Sequence, residues 1–384
     1  MKILFDYQGL VQKHSGGSKM YFELMKHFPP EVEYKVGLVE CDNVHLQRLK
    51  VIDVPSIPDD YSRFLYGLKL PHKHFLYKLY SDFFPHCTSL GRNKSYSIKL
   101  MKEQNYDIFH PTFLDDYFLP YIGNKPFVFH IHDMTTTILR QYFSSNNDYQ
   151  TLKKRKLASL AAHIVAVSEN TKKDVMELLN IPEEKITVIY HGADDWNYKL
   201  LENKYDFNYL LYVGGRSSYK FYIEMLKSIK DFLLRHKDIK LLTVGAPFNY
   251  REIKIINELN LKDNIIRISA SDEELMSLYS NAMAFIYPSI YEGFGIPILE
   301  AYRAKCPVIL NNTSCFPEIA DGAAIYFEMN SNYSNLDEVL EGFIKLPQKV
   351  KDELIDRQLE RLKLFSWNQA ALQLSEVYKN ILQK

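Results

Sequence analysis

Short runs of β-branched and aromatic residues alternate along the chain with longer segments in which apolar residues recur every three or four positions. The first kind of run suits a strand buried on both faces, and the second suits a helix that buries one stripe. Their alternation is the signature of β-α-β units around parallel sheets, so the fold class is α/β. The clearest strands of the first half fall at 2–7, 34–39, 107–110, 127–132, 163–167 and 186–190. A second series starts afresh at 209–213 and continues through 240–244, 265–268, 284–287 and 307–310. Between the two, the stretch 191–206 is polar and carries neither period, which places a hinge at 195–206. The expected organisation is a first domain over 1–194, a second over 207–365 and a closing helix over 366–384. In that helix Trp367, Ala370, Leu372, Val377 and Ile381 are available for packing.

Composition sharpens this picture by exclusion. With 384 residues there is room for two ordinary domains, each with its own core. The 47 basic and 47 acidic residues balance, so no global field draws the protein to nucleic acid or to an anionic membrane, and any affinity for anions is local. Cys41, Cys87, Cys306 and Cys315 lack the spacings of a zinc site or a disulfide framework and read as reduced, buried thiols. Asp6 interrupts what would be the apolar stretch of a signal peptide, and no run of about 18 uncharged apolar residues occurs, so a cytoplasmic location is expected.

Ligands of open parallel sheets sit beyond the carboxyl ends of the strands, so the post-strand loops are where chemistry is sought. Residues 291–300, YEGFGIPILE, follow the strand at 284–287, and Pro297 suits the first turn of a helix. Gly293 and Gly295 just ahead of that helix permit close backbone approach, and the amides at its N-terminus favour a phosphate. Glu292 lies in the loop and Glu300 about one turn inside the helix, where two carboxylates can accept from vicinal hydroxyls of a sugar or ribose. Taken alone, the pair reads equally as a solvated loop residue and a partner of the helix dipole. At 211–220, LYVGGRSSYK, a strand runs into a glycine turn at Gly214 and then presents Arg216 and Lys220. With a helix beginning near Ser217 they lie one turn apart, where both can neutralise a leaving diphosphate, or else form a solvated face.

Two further loops add weaker cues. The strand 127–133, FVFHIHD, puts His130 and His132 on one face, which suits core histidines or a metal site, although the neighbourhood lacks a convincing ligand set. The loop 14–19, HSGGSK, joins the first strand to a helix beginning near Ser18 and is either a tight turn or a ligand loop. No P-loop and no dinucleotide G-x-G-x-x-G pattern occurs, which removes support for generic nucleotide hydrolysis and for NAD chemistry.

Glu292 and Glu300, seven residues apart within EGFGIPILEA, resemble the paired-glutamate motif of the family 4 retaining glycosyltransferases with the GT-B fold. The segments DIFHPT at 107–112, AVSENT at 166–171, IYHGAD at 189–194 and CFPEIA at 315–320 extend the resemblance across both halves, most weakly over 41–102. It implies two Rossmann-like domains facing each other across a cleft, with the closing helix returning to the first. It also implies a sugar nucleotide co-substrate, UDP- or GDP-linked, with no tightly bound cofactor and no metal. Carried over residue by residue, it gives His132 the transferred sugar, Arg216 and Lys220 the leaving diphosphate, Glu292 the sugar hydroxyls and Glu300 the ribose. Gly16, Gly17, Gly214, Phe294, Gly295 and Ile296 complete the donor-binding set. The family often carries glycine just before the Pro307 strand, where this chain has Lys305 and Cys306.

The resemblance further implies retention by same-face attack, with the leaving phosphate oxygen taking the acceptor's proton. Similar bacterial proteins build surface polysaccharides, so a growing cell-envelope glycan, free or lipid-linked, is the expected acceptor. The segment 60–87 interleaves Arg63, Lys69, Lys73 and Lys78 with many aromatic residues, which suits either contact with the inner membrane face or packing beneath the first sheet. A glycoside hydrolase or phosphorylase using the same carboxylates is the enzymatic alternative. A catalytically silent GT-B subunit that activates a partner is the non-catalytic one.

Overall fold

A computed structural model describes residues 1–11, 16–49, 54–55, 60–68, 70–143, 147–193 and 201–383. His14 and Ser15 of the first glycine loop, Lys69, Asp194 and residues 195–200 of the expected hinge lie outside the described residues.

The first half contributes six strands: β1 Lys2–Phe5, β2 Glu33–Val36, β3 Ile108–His110, β4 Val128–Ile131, β5 His163–Ala166 and β6 Ile186–Val188. All pair in parallel, in the groups β2-β1-β3 and β4-β5-β6, and a single parallel bridge between Phe109 and Phe127 joins the groups. The second half adds β7 Asn208–Val213, β8 Ile239–Val244, β9 Ile265–Ile268, β10 Ala284–Tyr287, β11 Val308–Asn311 and β12 Ile325–Phe327. These form one parallel sheet of order β12-β11-β10-β7-β8-β9. β12 is absent from the sequence reading. It is recruited by register with β11, Ile309 beside Ile325.

Why the strands read as unbroken apolar runs is clear from their two covered faces. Leu4 packs with Phe109, Phe129 and Leu157, while its neighbours Ile3 and Phe5 pack with Tyr21, Leu24 and Tyr378 on the opposite side. The second sheet repeats this, Leu211 and Phe285 facing one core and Leu210 and Ile286 the other. A strand covered on both sides by helices cannot alternate apolar with polar residues.

The closing helix Trp367–Leu382 packs on the helix Gly16–His27, and its Tyr378 hydroxyl lies 2.6 Å from His110 Nδ1. Trp367, Ala370 and Val377 are buried as expected, but Leu372 is 45% exposed and Leu374 takes the inward position. The chain passes the helix start closely: a Cβ on Gly192 would lie 2.3 Å from the Trp367 backbone nitrogen, and the Ala193 amide donates to the Phe365 carbonyl at 3.1 Å.

Two expectations about side chains fail. Cys41, Cys306 and Cys315 are buried, but Cys87 is exposed, because it ends the short turn Pro85–Cys87 on an outlying layer. The aromatics of 60–87 do not pack beneath the first sheet. The helix Lys73–Phe83 turns Tyr77 and Tyr80 onto Phe64 and leaves Phe75, Leu76, Leu79 and Phe83 facing solvent. Tyr66 beside it is 100% exposed. Among the described residues no helix is long and apolar enough to cross a membrane.

Candidate functional site

A cleft of about 770 Å³ is lined by loops that follow β1, β3, β4 and β6 of the first half and β7, β9 and β10 of the second. It therefore lies between the carboxyl ends of two parallel sheets. Two helices start on it from opposite sides. From the first half comes Gly16–His27, and from the second Ile296–Arg303, with Pro297 in its first turn. A Cβ on Gly16 would stand 3.7 Å from Ile296 Cδ1, so the first residues of the two helices lie within side-chain reach of each other. Gly295 precedes the second helix at φ +97°, a left-handed conformation that side chains other than glycine rarely adopt.

The two glutamates occupy one wall. Lys220 Nζ donates to Glu292 Oε1, and the Glu292 amide donates to Ser314 Oγ at 3.2 Å while Ser314 Oγ donates back to the Glu292 carbonyl at 2.7 Å. Glu300 receives the buried Tyr279 hydroxyl on Oε2 at 3.3 Å, and Lys19 Nζ from the opposite helix approaches its Oε1 at 3.9 Å. Each carboxylate thus faces a lysine.

The basic pair is arranged differently from the sequence expectation. Residues Ser218–Lys220 form a single 3-10 turn, Phe221 adopts φ +51°, and the helix starts only at Tyr222. Arg216 turns the other way. Its Nε donates to Glu252 Oε1 at 2.8 Å, and its Nη2 donates to the carbonyls of Ala246 and Pro247 at 2.8 and 3.0 Å. Glu252 also closes the capping box of the helix Tyr250–Glu258, so Arg216 ties the loop after β7 to the loop after β8. Gly16, Gly17, His132, Glu292, Phe294, Gly295, Ile296 and Glu300 line the cleft, Lys220 reaches it through Glu292, and Arg216 turns away from it onto Glu252.

Four imidazoles form a file from the core to the cleft. His110 and His130 are stacked 5.4 Å apart, His130 and His132 5.6 Å, and His132 and His191 6.3 Å. His130 Nδ1 lies 3.2 Å from His110 Nε2, which makes His130 a hydrogen-bonded core histidine. Burial lowers the pKa of all four, to about 3 for His110 and His191; repulsion from other rings of the file adds to it for His110, His130 and His191, while at His132 Asp133 works against the burial and Lys154 with it. His132 is therefore a neutral ring at the cleft. At Asp133 burial pushes the carboxyl up, but Lys154 and the Thr135 amide outweigh it and hold it below the usual range. Among the described residues no group of three histidines, cysteines or carboxylates is placed to hold a metal ion.

Sequence reasoning missed the contacts that seat the loop after β10 on the first half. A Cβ on Gly293 would be 1.8 Å from the His132 carbonyl oxygen, so only glycine fits at that approach. Ser168 Oγ donates to the Gly293 carbonyl at 2.7 Å, and the Tyr291 hydroxyl donates to Asp174 Oδ2 at 2.5 Å. The Glu318 carboxylate accepts from the Glu169 and Asn170 amides at 2.6 and 2.9 Å, capping the helix Glu169–Leu179 from the other half. Each of these pairs is more than 100 positions apart, beyond the reach of any local pattern.

The sequence matches two families in tandem, Glycosyltransferase Family 4 over 55–196 and Glycosyl transferases group 1 over 196–358. The O-antigen chain mannosyltransferase RfbU of Salmonella typhimurium is 30% identical over a region spanning 53% of this chain and 61% of that protein. A GDP-mannose:cellobiosyl-diphosphopolyprenol alpha-mannosyltransferase of Xanthomonas oryzae is also 30% identical, over 45% of this chain and 46% of its own length. Among solved structures, HepE of Anabaena in complex with UDP-glucose superposes with a TM-score of 0.70 at 17% identity, covering 99% of this chain and 100% of that one.

Proposed function

Because the chain belongs to the glycosyltransferases of family 4 and group 1 and has the GT-B fold, we propose that it transfers a hexose from a nucleotide diphosphate sugar to a glycan, with retention of configuration. The observation that carries this reading is the meeting of two helix N-termini over the wall that holds Glu292 and Glu300. Two positive dipole ends suit a diphosphate, and carboxylates beside them suit the hydroxyl pairs on either side of it.

In this reading the ribose hydroxyls meet Glu300 and the sugar hydroxyls meet Glu292, which frees Lys220 to turn toward the diphosphate. Arg216 supports the same anion from behind by fixing the glycine turn at Gly214. The neutral ring of His132 holds a hydroxyl on the sugar face. The acceptor oxygen forms its bond to the anomeric carbon on the face from which the phosphate leaves. The carbon–oxygen bond to phosphate breaks, and the acceptor's proton passes to the departing phosphate oxygen, so no separate protein base is required. Catalysis then rests on charge stabilisation by preorganised groups.

The relatives' names favour mannose and a lipid-linked acceptor in surface-polysaccharide synthesis. The solvent-facing Phe75, Leu76, Leu79 and Phe83 support docking of the helix Lys73–Phe83 at the inner membrane face, where such an acceptor would be presented. The proposed organisation is an acceptor domain over 1–194, a hinge at 195–206, a donor domain over 207–365 and the closing helix. A thermal-shift panel of GDP-mannose, UDP-glucose and dTDP-glucose tests the reading. One sugar nucleotide is expected to raise the melting temperature, and stabilisation by none of them contradicts donor binding.

A further inference from the structure

The loop that follows β11 lies against the loop that follows β10, and three successive side chains join them. Thr313 Oγ1 donates to the Ile290 carbonyl at 3.2 Å, Ser314 Oγ to the Glu292 carbonyl at 2.7 Å and Cys315 Sγ to the Phe294 carbonyl at 3.2 Å. Every second carbonyl of the segment that carries the site is held in this way. Ser314 does more than its neighbours, because its hydroxyl also accepts from the Glu292 amide at 3.2 Å. One side chain thus satisfies both main-chain groups of Glu292. Amide and carbonyl flank the Cα, and pinning both fixes the direction in which the Glu292 side chain leaves the backbone. Ser314 itself holds φ +54°, a left-handed conformation that glycine adopts freely and a residue with a side chain adopts under strain. What serine supplies there and glycine would not is the hydroxyl, and its two bonds both go to Glu292.

Resting on the donor reading above, in which Glu292 meets the sugar hydroxyls, we propose that Ser314 is a positioning residue that aims Glu292 and so governs the sugar-dependent part of donor binding. Its hydroxyl is engaged on the Glu292 main chain and acts on the ligand through that carboxylate. Gly293, the next residue, is fixed from the first half by the Ser168 hydroxyl on its carbonyl. Glu292 is thereby held at the point where the loop passes from one support to the other. The nucleoside and the diphosphate, assigned in that reading to Glu300, the helix starts and Lys220, gain nothing from Ser314.

The test reads the sugar separately from the rest of the donor. Affinities of GDP, GDP-mannose, UDP and UDP-glucose are measured by calorimetry without acceptor on the wild type, S314G, S314A, E292A and the double variant S314G/E292A. For the pair that binds the wild type, S314G and S314A are each expected to lower the ratio of sugar-nucleotide to nucleoside-diphosphate affinity by about tenfold, the loss of one charge-assisted hydrogen bond. Glycine relieves the strained backbone and alanine keeps it, so agreement between the two assigns the effect to the hydroxyl. E292A should lower the ratio at least as far, and the double variant should match E292A alone, since no carboxylate is left to aim. An unchanged ratio in S314G, or a further tenfold loss when S314G is added to E292A, overturns the assignment of Ser314 alone. A loss confined to S314A does the same, since it traces to the backbone. A wild type that binds no sugar nucleotide, or an unchanged ratio in E292A, overturns the donor reading beneath it.

Discussion

At the scale of single residues, the cleft holds its charges in mutual neutralisation. Lys220 is bonded to Glu292, and Glu300 is approached by Lys19. Replacing Lys220 by Ala removes a cation from the proposed leaving group, and the turnover number should fall by roughly 10²–10³, as on removing one preorganised donor. Sugar transfer from the donor found in the panel measures this, and an unchanged rate in a folded variant would remove Lys220 from the mechanism. The histidine file sets a pH dependence. His110 and His191 have folded pKa values of about 3, below the unfolded value near 6.5, so the unfolded chain takes up protons that the folded one refuses. Stability present at neutral pH is therefore lost as pH falls below about 6.5, roughly 2 kcal/mol for each of the two rings between pH 7 and pH 5. Asp6 works in the opposite direction. Burial raises it to about 6, and its protonation restores about 1 kcal/mol over the same interval. The histidines win, and the melting temperature is expected to fall from pH 7 to pH 5; a rise would contradict their burial as neutral rings. Glu292, Glu300 and His132 were legible in the sequence because each sits in a short motif next to a strand end. The orientations of Arg216 and Lys220 were not, because they depend on Glu252, 36 positions on, and on a 3-10 turn no local period announces.

At the scale of elements, the unit β10, loop and helix Ile296–Arg303 carries the site. Its loop is seated on the first half by Gly293, Ser168 and the Tyr291–Asp174 bond. Strand positions followed from apolar periods and the start of the helix Ile296–Arg303 from Pro297, whereas the helix expected near Ser217 begins only at Tyr222 and β12 escaped because it is defined by its neighbour rather than by its own residues. The departure at Lys305 is visible in the backbone. Where the resembling family has glycine, Lys305 holds φ +57°, a conformation costing a side-chain-bearing residue about 1 kcal/mol. The turn is strained at this residue. The helix Lys73–Phe83 is the element whose apolar face lacks cover among the described residues. If it docks on a bilayer, the protein should float with vesicles of phosphatidylglycerol and phosphatidylethanolamine. A variant with Phe75, Leu79 and Phe83 changed to Ser should not. Equal flotation of the two, or none of either, would refute docking through this face.

At the scale of the whole molecule, two parallel sheets present their carboxyl ends to one cleft, and the chain passes between the halves beside Gly192 and again before Trp367. The segment 191–193 lies against 365–367 there, with the Ala193 amide bonded to the Phe365 carbonyl. The two-series pattern of strands made the pair of sheets readable, because each sheet is a local succession of β-α units. Their mutual placement was not readable from periods, since it is set by a few contacts such as Glu318 on the Glu169 and Asn170 amides. In the proposed function this cleft moves a sugar with its configuration kept. The most direct measurement is proton NMR of the product formed from an α-linked sugar nucleotide and a glycan acceptor. The predicted result is an α-glycoside appearing together with free nucleoside diphosphate. A β-linked product, or release of free sugar without a new glycoside, would contradict it.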